Sequence, residues 1–382
     1  MRILVLHSRY RSGPASGENR VVEDEVRLLR QGGHAVAVWS PSVDPGSAAQ
    51  LIRTAKDTVW SSSAVAEVKR LLDTHHPEIV HVHNLFPALS PAVLRVAASR
   101  SVVVMTLHNY RLMCLPGTFL RDGRVCEACL GRVPLPGVRF GCYQGSIPAS
   151  TVLAASISLH KAIGSFGEVT RFFAVSEFLR EKHVAAGIDP RRIVVKPNFS
   201  EAAPRREGSG DYFLYIGRIT PEKGVATLVQ LWDEIEHPLM VVGDGPQREE
   251  LAKVAPRNVE FRPTVPGDEV PALIQRSRAL MVPSIWYEGA PRSIIEAYAS
   301  GVPVIASRIG ALPEVVQERV SGFLVDPYDL PGWRAALKEI ASDEVTRRLG
   351  EGAYGIWKRL YSPDVARREL ERRYAEALMA NA

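Results

Sequence analysis

Cysteine is nearly absent from this 382-residue chain: there are four, and all fall between Cys114 and Cys142. No cysteine is left elsewhere to cross-link the fold. No stretch approaches the roughly 20 consecutive apolar residues of a bilayer span, so no transmembrane helix is expected. There is no dense basic run interleaved with aromatics, which argues against nucleic acid as a partner. The loop after the first apolar run lacks G-x-G-x-x-G spacing, which removes a dinucleotide fingerprint at that point. No Asp-x-Asp pair suited to bridging a divalent metal stands out.

What remains is an ordinary soluble composition, 46% hydrophobic and 23% charged, in a chain long enough for two domains with a core each. The net charge of +5 suits a phosphate-bearing ligand or a weak pull toward anionic lipid. Met1-Arg2 leads directly into the apolar run ILVLH, so no signal peptide is expected and a cytoplasmic location is. Ser200–Asp211 (SEAAPRREGSGD) is polar, with Pro and Gly, and reads as a linker. It sets the expected domains: 1–199, 200–362, and a terminal helical segment 363–382.

Short strand-like runs, most of them continuously apolar, punctuate both halves: Ile3–Leu6, Ala35–Trp39, Glu78–His83, Val102–Leu107 and Phe172–Val175, then Tyr212–Ile216, Pro238–Val242, Val259–Arg262, Ala279–Val282, Val304–Ala306 and Phe323–Val325. Such runs fit parallel strands covered on both faces. The fold class is therefore α/β, with two Rossmann-like parallel-sheet domains. In sheets of this kind ligands gather at the carboxyl ends of strands.

The most informative stretch is Pro283–Pro303, PSIWYEGAPRSIIEAYASGVP. Glu288 and Glu296 stand eight residues apart. Pro291 suits the first turn of a helix running to about Ser300, and Gly301 suits its C-terminal cap. The first amides of that helix, at Arg292 and Ser293, would favour a phosphate, while the two carboxylates could accept from sugar and ribose hydroxyls. The competing reading is an Arg292–Glu296 pair on a solvated helix face. In GRITPEKG, Arg218 and Lys223 flank a short turn and could together neutralise a diphosphate.

The first half supplies polar strand ends. His81 and His83 alternate on one strand and share a face. With no third ligand near in sequence, they read as polar strand-end residues, and His83-Asn84 as an acceptor contact. His108-Asn109 repeats the pattern one strand later. A strand, a glycine-bearing loop and a helix from about Val21 to Gln31 form an anion-binding layout.

Glu-x7-Glu followed by EAYASGVPVIASRIGALPEVVQERVSGFLV resembles the donor-site signature of the retaining glycosyltransferases of family 4. GR-x4-KG resembles their diphosphate signature. The likeness is strong in the second half and looser in the first. It implies the GT-B fold, with two Rossmann-like halves facing across a cleft. It implies that the loop Gly13–Glu18 approaches the donor diphosphate through backbone amides, with Gly17 the candidate. It also implies that His108 lies against the donor sugar and that a last helix, about Pro363–Leu378, braces the first domain. The expected activity is a metal-independent hexosyl transfer from a UDP- or GDP-linked sugar to a hydroxyl, with retention. No cofactor is needed. The acceptor would be a glycan, a lipid-linked glycan or a small natural product. Catalytic roles fall to His108, Glu288, Arg218 and Lys223; donor binding falls to Gly17, Arg218, Lys223, Arg292, Ser293 and Glu296. Alternatives are a nucleotide-sugar isomerase or a phosphorylase of the same fold, or a non-catalytic scaffold.

The cysteine pattern C-x11-C-x2-C-x12-C lies in a Gly-, Pro- and Arg-rich loop, residues 110–145, on the acceptor side. Cys114, Cys126, Cys129 and Cys142 could hold a structural zinc, could remain thiols, or could ligate an iron–sulfur cluster. Pro148–Phe166 reads as an apolar helix that either packs in the core or touches a membrane peripherally.

Overall fold

The computed structural model describes residues 1–9, 17–43 and 48–381. Gly13–Ser16 of the expected diphosphate loop lie outside them. The chain forms two compact units: Met1–Phe119, Cys126–Lys196 and Arg367–Ala382 in one, Leu120–Val125 and Pro197–Ala366 in the other.

The first unit carries six parallel strands: β1 (Arg2–Leu6), β2 (Ala35–Trp39), β3 (Ile79–Val82), β4 (Val102–Leu107), β5 (Arg171–Ala174) and β6 (Ile193–Val195), in the order β2-β1-β3-β4-β5-β6. Helix α1 (Gly17–Gln31) begins before the expected Val21, because its polar opening, GENR, carries no apolar periodicity to announce it. Glu18 in its first turn and Arg30 in its last complement the helix dipole. Val22, Val26 and Leu29 pack with Ile3 and Val5 of β1 in one core cluster, which also takes in Leu370, Tyr374 and Ala377. The Pro148–Phe166 helix is observed as Ile147–Ala162, capped by the Ser146 side chain, and buries Leu153, Ala154, Ile157 and His160, which favours the core-packing reading. No helix among the described residues is long and apolar enough to cross a membrane.

The second unit has the parallel order β9-β8-β7-β10-β11-β12, from β7 (Tyr212–Ile216), β8 (Leu239–Val242), β9 (Val259–Arg262), β10 (Ser277–Val282), β11 (Val304–Ser307) and β12 (Gly322–Val325). Its two faces are covered by separate apolar clusters, one built on Leu214 and Leu280, the other on Phe213 and Ala279. Strand β10 is longer than its apolar run because Ser277 pairs with Tyr212 across a register shift. Helix α2 (Arg292–Ala299) follows β10, and Gly301 at φ 69° ends it, with Val302 N–H bonded to the Ala297 carbonyl. Helix α3 (Pro363–Met379) closes the chain.

Ser200–Asp211 is not the free linker its composition suggests. The Arg206 guanidinium donates to the carbonyls of Arg278 and Thr346, and Trp357 Nε1 donates to Ser200, so the segment is packed within the second unit.

The sheet order reverses between β7 and β10, so the loops after these two strands open side by side, the usual ligand position in a doubly wound sheet. They touch through backbone. Gly224 has φ 70°, and a Cβ there would lie 1.9 Å from the Pro283 carbonyl oxygen. Gly224→Ala is therefore expected to cost about 2 kcal/mol or more, from overpacking and the left-handed backbone together. Urea or thermal unfolding measures it, and an unchanged midpoint would contradict this packing.

Candidate active site

The loops after β7 and β10 bring Lys223 and Glu288 together. Lys223 Nζ donates to Glu288 Oε1 at 2.8 Å, Trp286 Nε1 donates to the same oxygen at 2.9 Å, and Ser284 Oγ does so at 2.5 Å. The ammonium also sits 5.0 Å from the Trp286 ring centroid, within cation–π range. Glu288 Oε2 accepts from none of the described residues. The carboxyl is buried, which alone would push its pKa up. The Lys223 charge and the three hydrogen bonds outweigh burial and hold it below the usual range, so Glu288 is an anion.

A third loop closes over the pair. The Ala311 N–H bonds to the Glu288 carbonyl, and Gly310, at φ 58°, approaches so closely that a Cβ would lie 2.8 Å from the Glu288 nitrogen. The Ile285 N–H bonds to the Glu222 carbonyl, which locks the first two loops in register.

The other candidates of the second unit lie nearby in the chain. Arg218 is 62% exposed, with Glu222 its neighbour at 3.5 Å. Arg292 and Glu296 do form the pair that their spacing allows, at 2.9 Å. It is not a solvated pair, since the two side chains are only 11% and 27% exposed. No side chain caps α2, whose N-cap is Pro291, so the Ser293 amide in its first turn has no intrahelical acceptor.

In the first unit His108 sits half-buried just beyond β4. Its Nε2 lies 3.0 Å from His83 Nδ1, and the two rings stack with centroids 5.3 Å apart. Burial first, then the charges of Lys196 and His7, lower the His108 pKa to about 3, so it is a neutral imidazole. Gly17 opens α1, with open space where a Cβ would stand.

Three polar residues of the first unit, His81, Glu25 and Asn84, are more enclosed than the sequence implies. His81, next to last in β3, is fully buried, between Tyr374 Oη at 2.7 Å and Thr106 Oγ1 at 2.7 Å. A third potential ligand does stand near His81 and His83, namely Glu25 from α1, and it is paired with Lys196. Asn84 is buried and brackets two turns, donating to the Ser8 and Phe86 carbonyls, which gives it a structural role.

The four cysteines remain thiols, with Cys114 and Cys129 buried. Among the described residues, Glu25, His81 and His83 form the group of three or more ligand atoms lying within 4.8 Å of one another, and no three of Cys114, Cys126, Cys129 and Cys142 do so. Cys114 is instead a buried thiol whose sulfur accepts from the Phe119 N–H at 3.3 Å, and burial pushes its pKa up.

Sequence reasoning missed Glu25, Lys196 and Tyr374. One signal was present: Glu25 falls on the apolar stripe of α1 with Val22, Val26 and Leu29, where a solvated carboxylate has no place.

The sheet order and the loops at its reversal are those of a Rossmann-like unit of the GT-B class. A model of Glycosyltransferase Family 4 matches residues 15–201, and one of Glycosyl transferases group 1 matches residues 210–343. The chain belongs to family 4 of the glycosyltransferases, with the GT-B fold. A GDP-mannose-dependent alpha-mannosyltransferase of Corynebacterium glutamicum is 32% identical over 180 residues, 46% of this chain and 42% of that one. The chain spans about half the length of the curated relatives it matches. Among solved structures, sucrose-phosphate synthase from Thermosynechococcus elongatus aligns over 100% of both chains, with TM-score 0.73 and 17% identity. Anabaena HepE in complex with UDP aligns over 98% of this chain and 100% of its own, with TM-score 0.68 and 16% identity.

The buried imidazoles make stability pH-dependent. Burial, with the neighbouring Lys196 and His108 for His81 and the neighbouring histidines for His83, lowers both pKa values well below 6.5. The unfolded chain takes up protons at these positions near pH 6.5, while the folded one does not. Stability is thus full above about pH 6.5 and falls as the pH drops below it, by up to about 1.4 kcal/mol per pH unit for each histidine. The urea midpoint is expected to be lower at pH 5.5 than at pH 7.5; an equal midpoint would mean these rings are not held neutral.

Proposed function

We propose that the protein is a retaining glycosyltransferase that moves a hexosyl group from a UDP- or GDP-linked sugar to an acceptor hydroxyl. The observation that carries this reading is the Lys223–Glu288 pair at the sheet reversal, in a chain of family 4. An ammonium has three donors, and Glu288 takes one of them, so Lys223 retains two for diphosphate oxygens. Glu288 Oε2 accepts sugar hydroxyls. Glu296, steadied by Arg292, accepts from the ribose diol. Arg218 and the α2 amides at Arg292 and Ser293 add positive potential near the departing diphosphate. The relatives support a nucleotide-sugar donor: one is named for GDP-mannose, and one was solved with UDP.

As the glycosidic bond to phosphate breaks, negative charge accumulates on the diphosphate and positive charge on the anomeric carbon. Lys223 and Arg218 stabilise the first. Glu288 orients the sugar through its hydroxyls and does not attack. Neutral His108 shares a hydrogen bond with a sugar hydroxyl without adding a cation near the developing positive charge. The departing phosphate assists deprotonation of the acceptor on the same face, which gives retention. The counter-charge comes from side chains, and turnover is expected to survive a chelator. The acceptor belongs to glycan, glycolipid or natural-product synthesis.

The test is direct. A panel of UDP- and GDP-sugars is screened for protection against thermal unfolding, and the best donor is then assayed for nucleoside diphosphate released only when an acceptor is present. Lys223→Ala is expected to lower kcat about 100-fold or more, as loss of one preorganised donor to a developing anion does. Glu288→Gln is expected to raise the KM for the sugar donor and lower kcat while leaving free nucleoside diphosphate binding nearly unchanged. A panel in which no nucleotide sugar raises Tm, or full turnover by Lys223→Ala, would refute the assignment.

A further inference from the structure

The polar cluster between α1 and strands β3 and β4 has no part in the donor chemistry above, yet it ends on His108. Its base is a sealed ion pair: the Lys196 ammonium donates to Glu25 Oε1, and both side chains are buried. The other carboxylate oxygen, Glu25 Oε2, is buried and accepts no hydrogen bond from the described residues. Two imidazole nitrogens face it, His83 Nε2 at 3.8 Å and His81 Nδ1 at 4.0 Å.

The two imidazoles are not equivalent. Both nitrogens of His81 are engaged by hydroxyls, Nδ1 by Tyr374 and Nε2 by Thr106. His83 Nε2 has no hydroxyl partner among the described residues, and the nearest charge it meets is Glu25 Oε2. A buried anionic oxygen favours the tautomer that aims an N–H at it, and the low local dielectric strengthens that preference. With its proton on Nε2, His83 presents a bare Nδ1. At 3.0 Å from His108 Nε2, that nitrogen can only accept. His108 then carries its proton on Nε2 and leaves Nδ1 unprotonated.

We propose that Glu25, locked by Lys196, is a positioning residue that fixes the tautomer of His108 through His83 and so makes His108 Nδ1 a hydrogen-bond acceptor for the bound sugar. The sugar contact rests on the glycosyltransferase reading; the tautomer does not. The alternative use of the same atoms is a cation site, since Glu25, His81 and His83 have ligand spacing. Two features oppose it. Lys196 already supplies the positive charge beside Glu25, and His81 has both nitrogens committed to hydroxyls.

Ring-nitrogen shifts of the full-length protein, labelled with 15N-histidine and free of substrate, read the tautomer, and elemental analysis reads bound metal. The expected result is a single Nε2–H form at His108 with no tightly bound metal. An Nδ1–H form at His108, or one equivalent of retained metal, overturns the proposal. Glu25→Leu alone strands a buried ammonium and is expected to unfold, so both charges are removed together in Glu25→Leu/Lys196→Met. In that variant His108 is expected to populate both tautomers, with kcat down about tenfold and the donor KM little changed. A single Nε2–H form persisting there also overturns it. Absence of transfer by the wild-type protein would sink the functional reading and leave the tautomer assignment standing.

Discussion

The second unit depends on a contact between bare backbones. Adjacent parallel strands lie only about 4.8 Å apart, so the loops leaving β7 and β10 have little room between them. A glycine at position 224, with its left-handed backbone, lets the first loop settle against the Pro283 carbonyl, and the Ile285–Glu222 hydrogen bond fixes the register. Only in that arrangement does Lys223 reach a carboxylate 65 residues further along the chain. The pair is therefore a consequence of sheet order and of one missing side chain, and the chemistry inherits its geometry from both.

That geometry is not arranged for stability. Taking a carboxylate out of water costs several kcal/mol, and an ion pair buried with it often does no better than an apolar pair of the same shape. Glu288 nevertheless draws three donors onto one oxygen and stays ionised, while its second oxygen is left unused by its neighbours. An acceptor held ionised, oriented and half-committed at the carboxyl ends of strands is what ligand recognition requires and what packing alone would eliminate.

Most strands of both sheets were legible in the sequence because parallel strands covered on two faces appear as apolar runs. Their ends were less so: Ser277 pairs with Tyr212, and Arg278 is carried within β10 at the register shift, although neither is apolar. Lys223, Glu288, Arg292 and Glu296 could be named because each lies in a short motif whose spacing carries the information. Which of them would touch could not be read, since the Lys223–Glu288 contact needs the strand order. The cysteines show the reverse. Their clustering is plain in the sequence, but convergence on one point depends on a Gly- and Pro-rich path that local rules do not dictate, and no three of the sulfurs come within 4.8 Å of one another. Ser200–Asp211 misleads for a third reason: composition marks it as polar, but a guanidinium such as Arg206 can satisfy several buried carbonyls at once.

Each unit, taken by itself, carries a lysine–glutamate pair close to the ends of its strands, and the difference between the two pairs assigns their work. Lys223 is 20% exposed, and Glu288 keeps an oxygen without a protein partner, so this pair can share its donors and its acceptor with an arriving ligand. Glu25 and Lys196 are both buried and paired with each other. A sealed pair can influence chemistry only through a neighbour that is itself in contact with it, and the buried His83 ring, stacked on His108, is such a neighbour. Because His83 and His108 are both held neutral, what passes along the chain is the placement of a proton and not a charge. The buried carboxylate thus acts at a distance by deciding which of two nearly equal tautomers is populated. That choice takes far less free energy than moving a charge, and a fixed dipole in a low-dielectric core is able to supply it.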